Sequence, residues 1–272
     1  MKDVDITIIS VCYRSEKTIL PLLDSIKKSP DKLQKQVIII ENDPDGKSAI
    51  VAQKHSLKPQ IIKNGENIGF SKAVNQGLKQ AKGKYILLLN ADAKVVGDAL
   101  NKLYQFAEDH PGLGAVAPRL LNSNGSIQAS CSTFPTIYNA IKHDFFGNKK
   151  SFKKYIPKNK VEKVEVAVMA AFFLPKIVYE HVGGLDERFF LYYEDIEYCR
   201  RLRSYGYPIY YIQSSKVKHI HGASGKFTYH LKSPLLESAQ IYYGKTYSFL
   251  LNSILWIGHK WQVILRGKRF RD

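Results

Sequence analysis

The run Lys84-Tyr-Ile-Leu-Leu-Leu-Asn-Ala-Asp92 constrains the fold of this chain more than any other stretch. Tyr85 to Leu89 is apolar without interruption, the pattern of a strand covered on both faces. Asn90-Ala91-Asp92 then ends the run with polar groups where the chain must leave the sheet. In open α/β sheets ligands bind beyond the carboxyl ends of the strands, so Asp92 is delivered to the place where chemistry is expected. A carboxylate there is a hard oxygen ligand, suited to Mg²⁺ or Mn²⁺ carrying a substrate diphosphate. The same residues also suit a turn cap. This stretch alone does not separate the two readings.

The flanking sequence alternates between strand and helix patterns. Ile6 to Val11 reads as a buried strand, and Ser15 to Lys28 as a helix with Ile19, Leu22, Leu23 and Ile26 on one face. Val37 to Ile40 reads as a second buried strand, ending in Glu41-Asn42-Asp43 and the turn Pro44-Asp45-Gly46. Ala49 to His55 is expected as a short helix and Ile61-Ile62 as a short strand. Asn67-Ile-Gly-Phe70 leads into a helix from Ser71 to Ala81. That alternation predicts an α/β fold with a mostly parallel sheet flanked by helices.

Beyond the central strand the pattern predicts a helix over 98–109, a strand over 114–118 and a hairpin around Ser123-Asn124-Gly125. Residues 139–165 carry eight lysines against three acids and read as a mobile basic loop. Val178 to Val182 reads as a short helix, and Glu194 to Arg201 as a helix with acids first and arginines later, the polarity a helix dipole favours. A strand over 206–212 precedes Val217-Lys-His-Ile-His-Gly-Ala-Ser224, and the chain turns helical from Leu235.

Lys and Arg number 41 against 24 Asp and Glu, a net charge of +17. Such an excess points to a polyanionic partner: nucleic acid, an anionic membrane or a phosphorylated substrate. Cys12, Cys131 and Cys199 are scattered without a disulfide or metal spacing and are expected as buried thiols in a reducing compartment. The sequence enters its first strand within a few residues, with no leader expected ahead of it, and no apolar run reaches the roughly 18 residues of a spanning helix. The expected location is the cytoplasm, free or at the inner face of the cell membrane.

Three constellations carry candidate chemistry. Glu41, Asp43 and Asp92 follow strands, and on parallel neighbours they would converge at one sheet edge. Glu194-Asp195 sits behind the aromatic run Phe189-Phe-Leu-Tyr-Tyr193. A partly desolvated carboxylate there would gain basicity, while a helix N-cap is the plainer reading of the pair. His219 and His221 lie two apart on an extended segment, so one could join Asp92 on a divalent ion; nothing nearby completes a zinc site. A dinucleotide oxidoreductase would need Gly-x-Gly-x-x-Gly after the first strand, and Val11-Cys-Tyr-Arg-Ser-Glu16 has none. A basic nucleic-acid-binding protein is the competing class, but no helix-turn-helix, RNA-recognition or zinc-finger pattern is present. No nucleic acid is therefore expected as partner.

In order and spacing, these pieces resemble the family 2 glycosyltransferases of the GT-A fold, in particular the rhamnosyltransferase-like branch of bacterial surface-polysaccharide synthesis. The resemblance rests on Ile8 to Tyr13, Val37 to Asp43, Asn67-x-Gly-Phe70 with Asn75, and Leu88-Leu-Asn-Ala-Asp92. It continues in Gly183-Gly-Leu-Asp-Glu187, Phe190-Leu-Tyr-Tyr-Glu-Asp195 and His219 to Ser224. It implies a Rossmann-like GT-A domain over 1–232, with a nucleotide-sugar half (1–118) and an acceptor and catalytic half (119–232). It implies inverting hexosyl transfer with Mg²⁺ or Mn²⁺. Donor contacts would come from Tyr13, Glu41, Asp43, Asn67, Gly69, Phe70, Asn75, Asn90, Ala91 and Asp92, with Glu41 at the nucleobase. Asn90 and Asp92 would stand for the Asp-x-Asp element, Asp92 and His219 would meet the metal or diphosphate, and Asp195 with Glu194 would hold the catalytic base. Three positions depart from the family pattern: Glu41 for its usual Asp, Arg14 for an Asn, and Asn90 for the first acid of Asp-x-Asp. The expected donor is dTDP-rhamnose, with a UDP-sugar as the alternative. The expected acceptor is a saccharide, free or linked to undecaprenyl diphosphate.

Residues 233–272 lie outside the resemblance. Tyr247, Leu250, Ile254, Ile257, Trp261 and Ile264 recur at spacings of three and four, and Lys260, Arg266, Lys268, Arg269 and Arg271 follow. Such a stripe suits packing on the main domain. Its tryptophans and basic cluster suit an interfacial helix on an anionic membrane, bringing the site to a lipid-linked acceptor.

Overall fold

The computed structural model describes residues 3–144, 154–220 and 234–266. The first half follows the alternation: β1 (Ile6–Cys12), α1 (Ile19–Lys27), β2 (Lys35–Glu41), α2 (Lys47–Ala52), β3 (Gln60–Lys63), α3 (Phe70–Lys79) and β4 (Tyr85–Leu89). Then come β5 (Ala93–Val96), α4 (Ala99–Asp109), β6 (Ala115–Leu121), β7 (Cys131–Ser132), α5 (Ile137–Asp144), β8 (Val161–Val164) and β9 (Val166–Ala167). The chain continues through β10 (Ala171–Pro175), α6 (Lys176–Val182), α7 (Glu194–Ser204), β11 (Ile209–His219), α8 (Pro234–Tyr243) and α9 (Lys245–Arg266).

The main sheet runs β3-β2-β1-β4-β10-β6-β11-β5, with β8 also on β11. β4 lies near its middle and all five of its residues are buried, as its unbroken apolar run predicts. β1, β2, β3 and β4 are mutually parallel. β10 inserts antiparallel between β4 and β6, so β6, and β11 parallel to it, point the same way as β4. Along each inner strand, side chains alternate between two cores. Ile8, Ile39 and Leu87 face α1 and α4 through Leu22, Ile26, Leu100 and Leu103. Ile9, Ile38, Ile86 and Leu88 face α3, α6 and α7 through Val74, Leu78, Val178, Tyr198 and Leu202. Each fully buried aliphatic side chain contributes about 1.5–3 kcal/mol, which makes these two layers the frame of the site.

Three residues, Asn90 to Asp92, carry the chain from β4 to β5. In sheet order β10, β6 and β11 lie between those strands. Four flat strand spacings would cover about 19 Å. The link is a turn closed by Ala93 N–H on Asn90 O (2.9 Å), which holds its ends within about 7 Å. The sheet therefore curls over at this point, and Ile220 N–H donates to Asp92 O across the fold (3.3 Å).

Several expectations need correction. The stretch read as a mobile basic loop begins in α5 and ends in β8, while 145–153 lie outside the described residues. The hairpin around Asn124 is reduced to a single bridge, Leu121 to Ile127. The chain then diverts into β7, which pairs with β9. β11 absorbs the strand expected at 206–212 and the segment after it, through an irregularity between Ile212 and Lys216. α9 presents a different face from the one expected. Tyr247 turns inward, its hydroxyl accepting from Ile137 N–H (2.9 Å), whereas Phe249, Leu250, Trp256 and Ile257 are exposed. Among the described side chains of α9, Ser248, Leu251 and Gly258 are the buried ones. The side chain of Trp261 and residues Lys268, Arg269 and Arg271 lie outside the described set. Among the described residues, no helix is long and apolar enough to cross a membrane.

Candidate active site

Because β1, β2, β4, β6 and β11 point the same way, their carboxyl ends share one edge. This edge gathers Tyr13, Glu41 to Asp43, Asn90 to Asp92 and His219. At its centre, His219 Nε2 lies 3.4 Å from Asp92 Oδ1 and 3.3 Å from Asn90 Nδ2. Asp92 and His219 are both buried, although 127 positions separate them in the chain. The register of β11 on β5, His219 opposite Ala93, brings them together. Ala91, between Asn90 and Asp92, is buried and packs in the core on the side of α1 and α4. His221 lies outside the described residues.

Whether this centre suits a divalent cation turns on its donor set. Among the described residues, no three or more His, Cys, Asp or Glu side chains converge as a metal site. What converges is one carboxylate, one imidazole and one amide. Mg²⁺ is commonly held by one or two carboxylates plus substrate phosphates and water, so the set fits a cation arriving with a diphosphate rather than a resident ion. No further protein ligand is needed for that arrangement.

At the end of β2, Glu41 has a structural task. It is 1% exposed, and its two carboxylate oxygens accept from Asp43 N–H (3.1 Å) and Ala49 N–H (2.7 Å), tying the loop to the start of α2. A nucleobase would reach this carboxylate only with some opening of the loop. Asp43 Oδ1 accepts from Asp45 N–H (3.1 Å), and its other oxygen lies 4.0 Å from Arg14 Nε. Arg14, held at φ 52°, stacks its guanidinium over the Tyr13 ring with 5.2 Å to the centroid. Tyr13, Arg14 and Asp43 thus form an aromatic, cationic and acidic surface where a base and ribose could lie.

The Asn67 to Phe70 loop joins this edge to the second half of the chain. Asn67 Oδ1 accepts from Gly69 N–H (3.1 Å), and Asn42 Nδ2 donates to Gly69 O (3.1 Å). Phe70 N–H donates to Phe190 O (2.7 Å) while the Phe70 ring packs on the core. Gly69, at φ 88°, leaves no room for a side chain: a Cβ would come within 2.8 Å of Phe190 O. Asn75 acts as a clamp. Its Nδ2 donates to Leu185 O (2.9 Å) and Glu187 Oε1 (3.0 Å), and its Oδ1 accepts from Leu185 N–H (2.8 Å). These three hydrogen bonds lock α3 to the segment ahead of α7.

Glu194 and Asp195 open α7 after two consecutive left-handed residues, Tyr192 (φ 71°) and Tyr193 (φ 66°). Burial first, and the adjacent Asp195 charge second, push the Glu194 carboxyl up to about 8. Glu194 Oε2 has no hydrogen-bond partner among the described residues. Enclosure also raises Asp195, against the pull of nearby Lys154, and its Oδ1 accepts from Ile196 N–H (2.8 Å). Asp195 keeps partial exposure whereas Glu194 is 8% exposed. Burial thus pushes both carboxyls of the pair towards the protonated form, with Glu194 the more enclosed of the two. Further along α7, Arg201 closes a two-pronged ion pair on Glu197 (3.0 and 2.8 Å) and caps α6 at Val182 O (3.1 Å).

Several residues at the site gave no sequence signal. Asn64 and Gln76 exchange hydrogen bonds (2.9 and 2.7 Å), and Asn64 donates to Asn42 Oδ1 (2.8 Å), bracing the Asn67 loop. Gln128 meets His219 Nδ1 at 2.9 Å. Lone amides in loops carry no periodicity; only Asn42, beside Glu41 at a strand end, stood in a recognisable place. The three cysteines are free and buried, and burial pushes each thiol up, Cys131 to about 12.

Comparison with known proteins agrees with this architecture. A relative from Mycobacterium tuberculosis, N-acetylglucosaminyl-diphospho-decaprenol L-rhamnosyltransferase, is 22% identical over 80% of this chain and 76% of its own length. The low-salt glycan biosynthesis hexosyltransferase Agl10 of Haloferax volcanii is 24% identical over 73% of this chain and 62% of its own. Among solved structures, Staphylococcus aureus TarS 1-349 in complex with UDP-GlcNAc matches with a TM-score of 0.60 at 15% identity, over 96% of this chain and 73% of that one. GalNAc-T7 with UDP, GalNAc and Mn²⁺ matches with a TM-score of 0.64 at 14% identity, over 86% of this chain, which spans 46% of that structure. The structural likenesses give the GT-A fold. The model of the glycosyl transferase family 2 matches residues 7–174, which carry β1 through β10 and the Asn90–Asp92 edge, and the chain belongs to that family.

Proposed function

We propose that this glycosyltransferase moves a hexosyl group, rhamnose from dTDP-rhamnose, onto a lipid-diphosphate-linked saccharide with inversion at the anomeric carbon. The observation that carries the reading is the convergence of Asn90, Asp92 and His219 at the carboxyl edge of the sheet. The M. tuberculosis relative, named for a rhamnosyl transfer to a lipid-diphosphate sugar, supports this donor and acceptor class.

The donor nucleoside lies against Tyr13, Arg14 and Asp43, with its diphosphate directed to the central edge. Asp92 and His219 would hold a divalent cation there, with Asn90 beside them; when bound it supplies positive charge to the leaving diphosphate. Asp195 accepts the proton of the acceptor hydroxyl as that oxygen attacks the anomeric carbon from the face opposite the diphosphate. Neutral Glu194 keeps a second negative charge away from the reacting oxygen. One bond to carbon forms as the bond to diphosphate breaks, through an oxocarbenium-like centre, and no enzyme nucleophile intervenes. The exposed face of α9 rests on anionic lipid, where Lys245 and Lys260 flank Phe249 and Trp256 and the sequence adds Arg266, Lys268, Arg269 and Arg271.

Binding of a nucleotide-sugar panel, dTDP-rhamnose and UDP-GlcNAc included, with and without Mn²⁺, tests the reading. The expected result is Mn²⁺-dependent binding of dTDP-rhamnose, with the dependence lost in Asp92→Asn while the thermal melt is unchanged. Binding of no nucleotide sugar, with or without Mn²⁺, would overturn it.

A further inference from the structure

The turn after β6 carries a chain of hydrogen bonds whose direction is fixed from one end to the other. It starts at a group whose polarity is unambiguous, the backbone N–H of Ser126, which donates to Asn124 Oδ1 (3.0 Å). The Ser126 hydroxyl lies 2.7 Å from the same oxygen, an acceptor, so it too must donate. With its proton committed, Ser126 Oγ accepts from Asn122 Nδ2 (2.9 Å). That turns Asn122 Oδ1 to the opposite side, where it accepts from Gln128 Nε2 (3.1 Å). Gln128 then presents Oε1 to His219 Nδ1 at 2.9 Å, and Gln128 N–H, on Leu120 O (2.9 Å), anchors the residue that does so. A carbonyl oxygen can only accept, so the ring proton belongs on Nδ1.

We propose that Gln128 is a positioning residue of the active site: oriented by the 122–126 turn, it holds His219 as the Nδ1–H tautomer, with the lone pair of Nε2 directed at Asn90 and Asp92. In that state Nε2 accepts from Asn90 Nδ2 (3.3 Å) and stands as an acceptor beside the Asp92 carboxylate (3.4 Å). Nε2 has a single lone pair, so a cation held by His219 and Asp92 would take it in place of the Asn90 N–H. Outer partners that fix the tautomer of a ligating histidine typically account for 10- to 100-fold in metal affinity. The use of the lone pair for a cation rests on the function proposed above; the tautomer does not.

The test is a long-range ¹H–¹⁵N spectrum of the histidine rings in the full chain without metal, near pH 8, where an ordinary imidazole is neutral. Wild type and Gln128→Glu, which keeps an acceptor at this position, are expected to show His219 protonated on Nδ1. Gln128→Met, which removes the acceptor at similar size, is expected to mix both tautomers. Mn²⁺ affinity by electron paramagnetic resonance should fall about 10- to 100-fold in Gln128→Met and recover in Gln128→Glu. A wild-type ring protonated on Nε2 overturns the proposal without reference to any variant, as does Gln128→Met with unchanged tautomer and Mn²⁺ affinity. Wild type that shows Nδ1–H yet binds no Mn²⁺ supports the positioning role and removes the cation from the proposed function.

Discussion

Asp195 and Glu194 show how a single step along a helix divides two roles. The first turn of α7 favours negative charge, yet Glu194 is so enclosed that burial outweighs the dipole and the proton stays on. Asp195, one position on, keeps a path to solvent. Asp195→Asn is expected to lower kcat by roughly 10²- to 10⁴-fold with donor affinity near wild type; a parallel loss of donor binding in calorimetry would assign it to the donor site instead. Glu194 also predicts a pH dependence of stability. Between the ordinary glutamate value of 4.5 and about 8, the folded state carries a proton that the unfolded state has released. More protons on the folded side means that stability falls as pH rises through that window, by up to about 1.4 kcal/mol per unit, and levels off above it. Denaturant titrations of wild type and Glu194→Gln from pH 5 to pH 8 should differ in that slope, the variant being shallower with Asp195, also raised, left to titrate; parallel curves would contradict the burial argument.

Among the elements, the Asn67 loop and α3 matter most because they join the proposed donor edge to the segment ahead of α7. Gly69 touches Phe190 and Asn75 clasps Leu185, so the loop before α7 is held from two points on α3. Gly69→Ala should lower stability by about 1–3 kcal/mol, since it adds backbone strain at φ 88° and a collision with a carbonyl. Gly65→Ala separates the two causes: Gly65 also has positive φ, 67°, but a Cβ there meets nothing within 4 Å. Thermal melts should show the larger loss for Gly69→Ala, and only that variant should lose turnover beyond what its stability explains. Equal behaviour of the two would leave the Phe190 contact without a catalytic role. The regularity of this region was partly visible beforehand, because Asn67-x-Gly-Phe70 stood out before a helical pattern. The contact that demands the glycine was not, since Phe190 lies 121 positions away.

At the scale of the whole molecule, the C-terminal helices meet the catalytic segment from behind. Tyr193 packs against Tyr242 and Tyr243 (ring centroids 5.5 and 5.8 Å apart), Tyr243 stacks on Tyr247 (5.0 Å), and Ser238 Oγ donates to Leu191 O (2.9 Å). Removing α9 would therefore disturb the active site as well as any surface beyond it. A paired change on the exposed face, Phe249→Ser with Trp256→Ser, avoids this, since these side chains are 72% and 65% exposed. Pelleting with anionic vesicles should fall about tenfold or more in the double variant and fall with salt in wild type, while turnover of a water-soluble acceptor is unchanged. Equal pelleting of both proteins would remove the membrane from the proposal.

The sequence by itself determined the layers. Strand and helix periods are properties of the backbone, so Tyr85–Leu89, Val37–Ile40 and the Ile19–Ile26 face could be read locally, as could acids placed just past strand ends. Tertiary structure alone decided which polar groups meet. His219 reaches Asp92 only because the sheet curls after β4 and β11 pairs with β5, and Asn75 becomes a clamp only because Leu185 arrives beside it. Glu41 turned inward for the same kind of reason: two backbone amides close at hand take its oxygens. On α9, Ser248, Leu251 and Gly258 are buried among the described side chains while the larger Phe249, Trp256 and Ile257 are exposed. Periodicity records which side of an element is apolar; the partner of a hydrogen bond or the fit of a helix depends on strand order and approach distance, which no local pattern encodes.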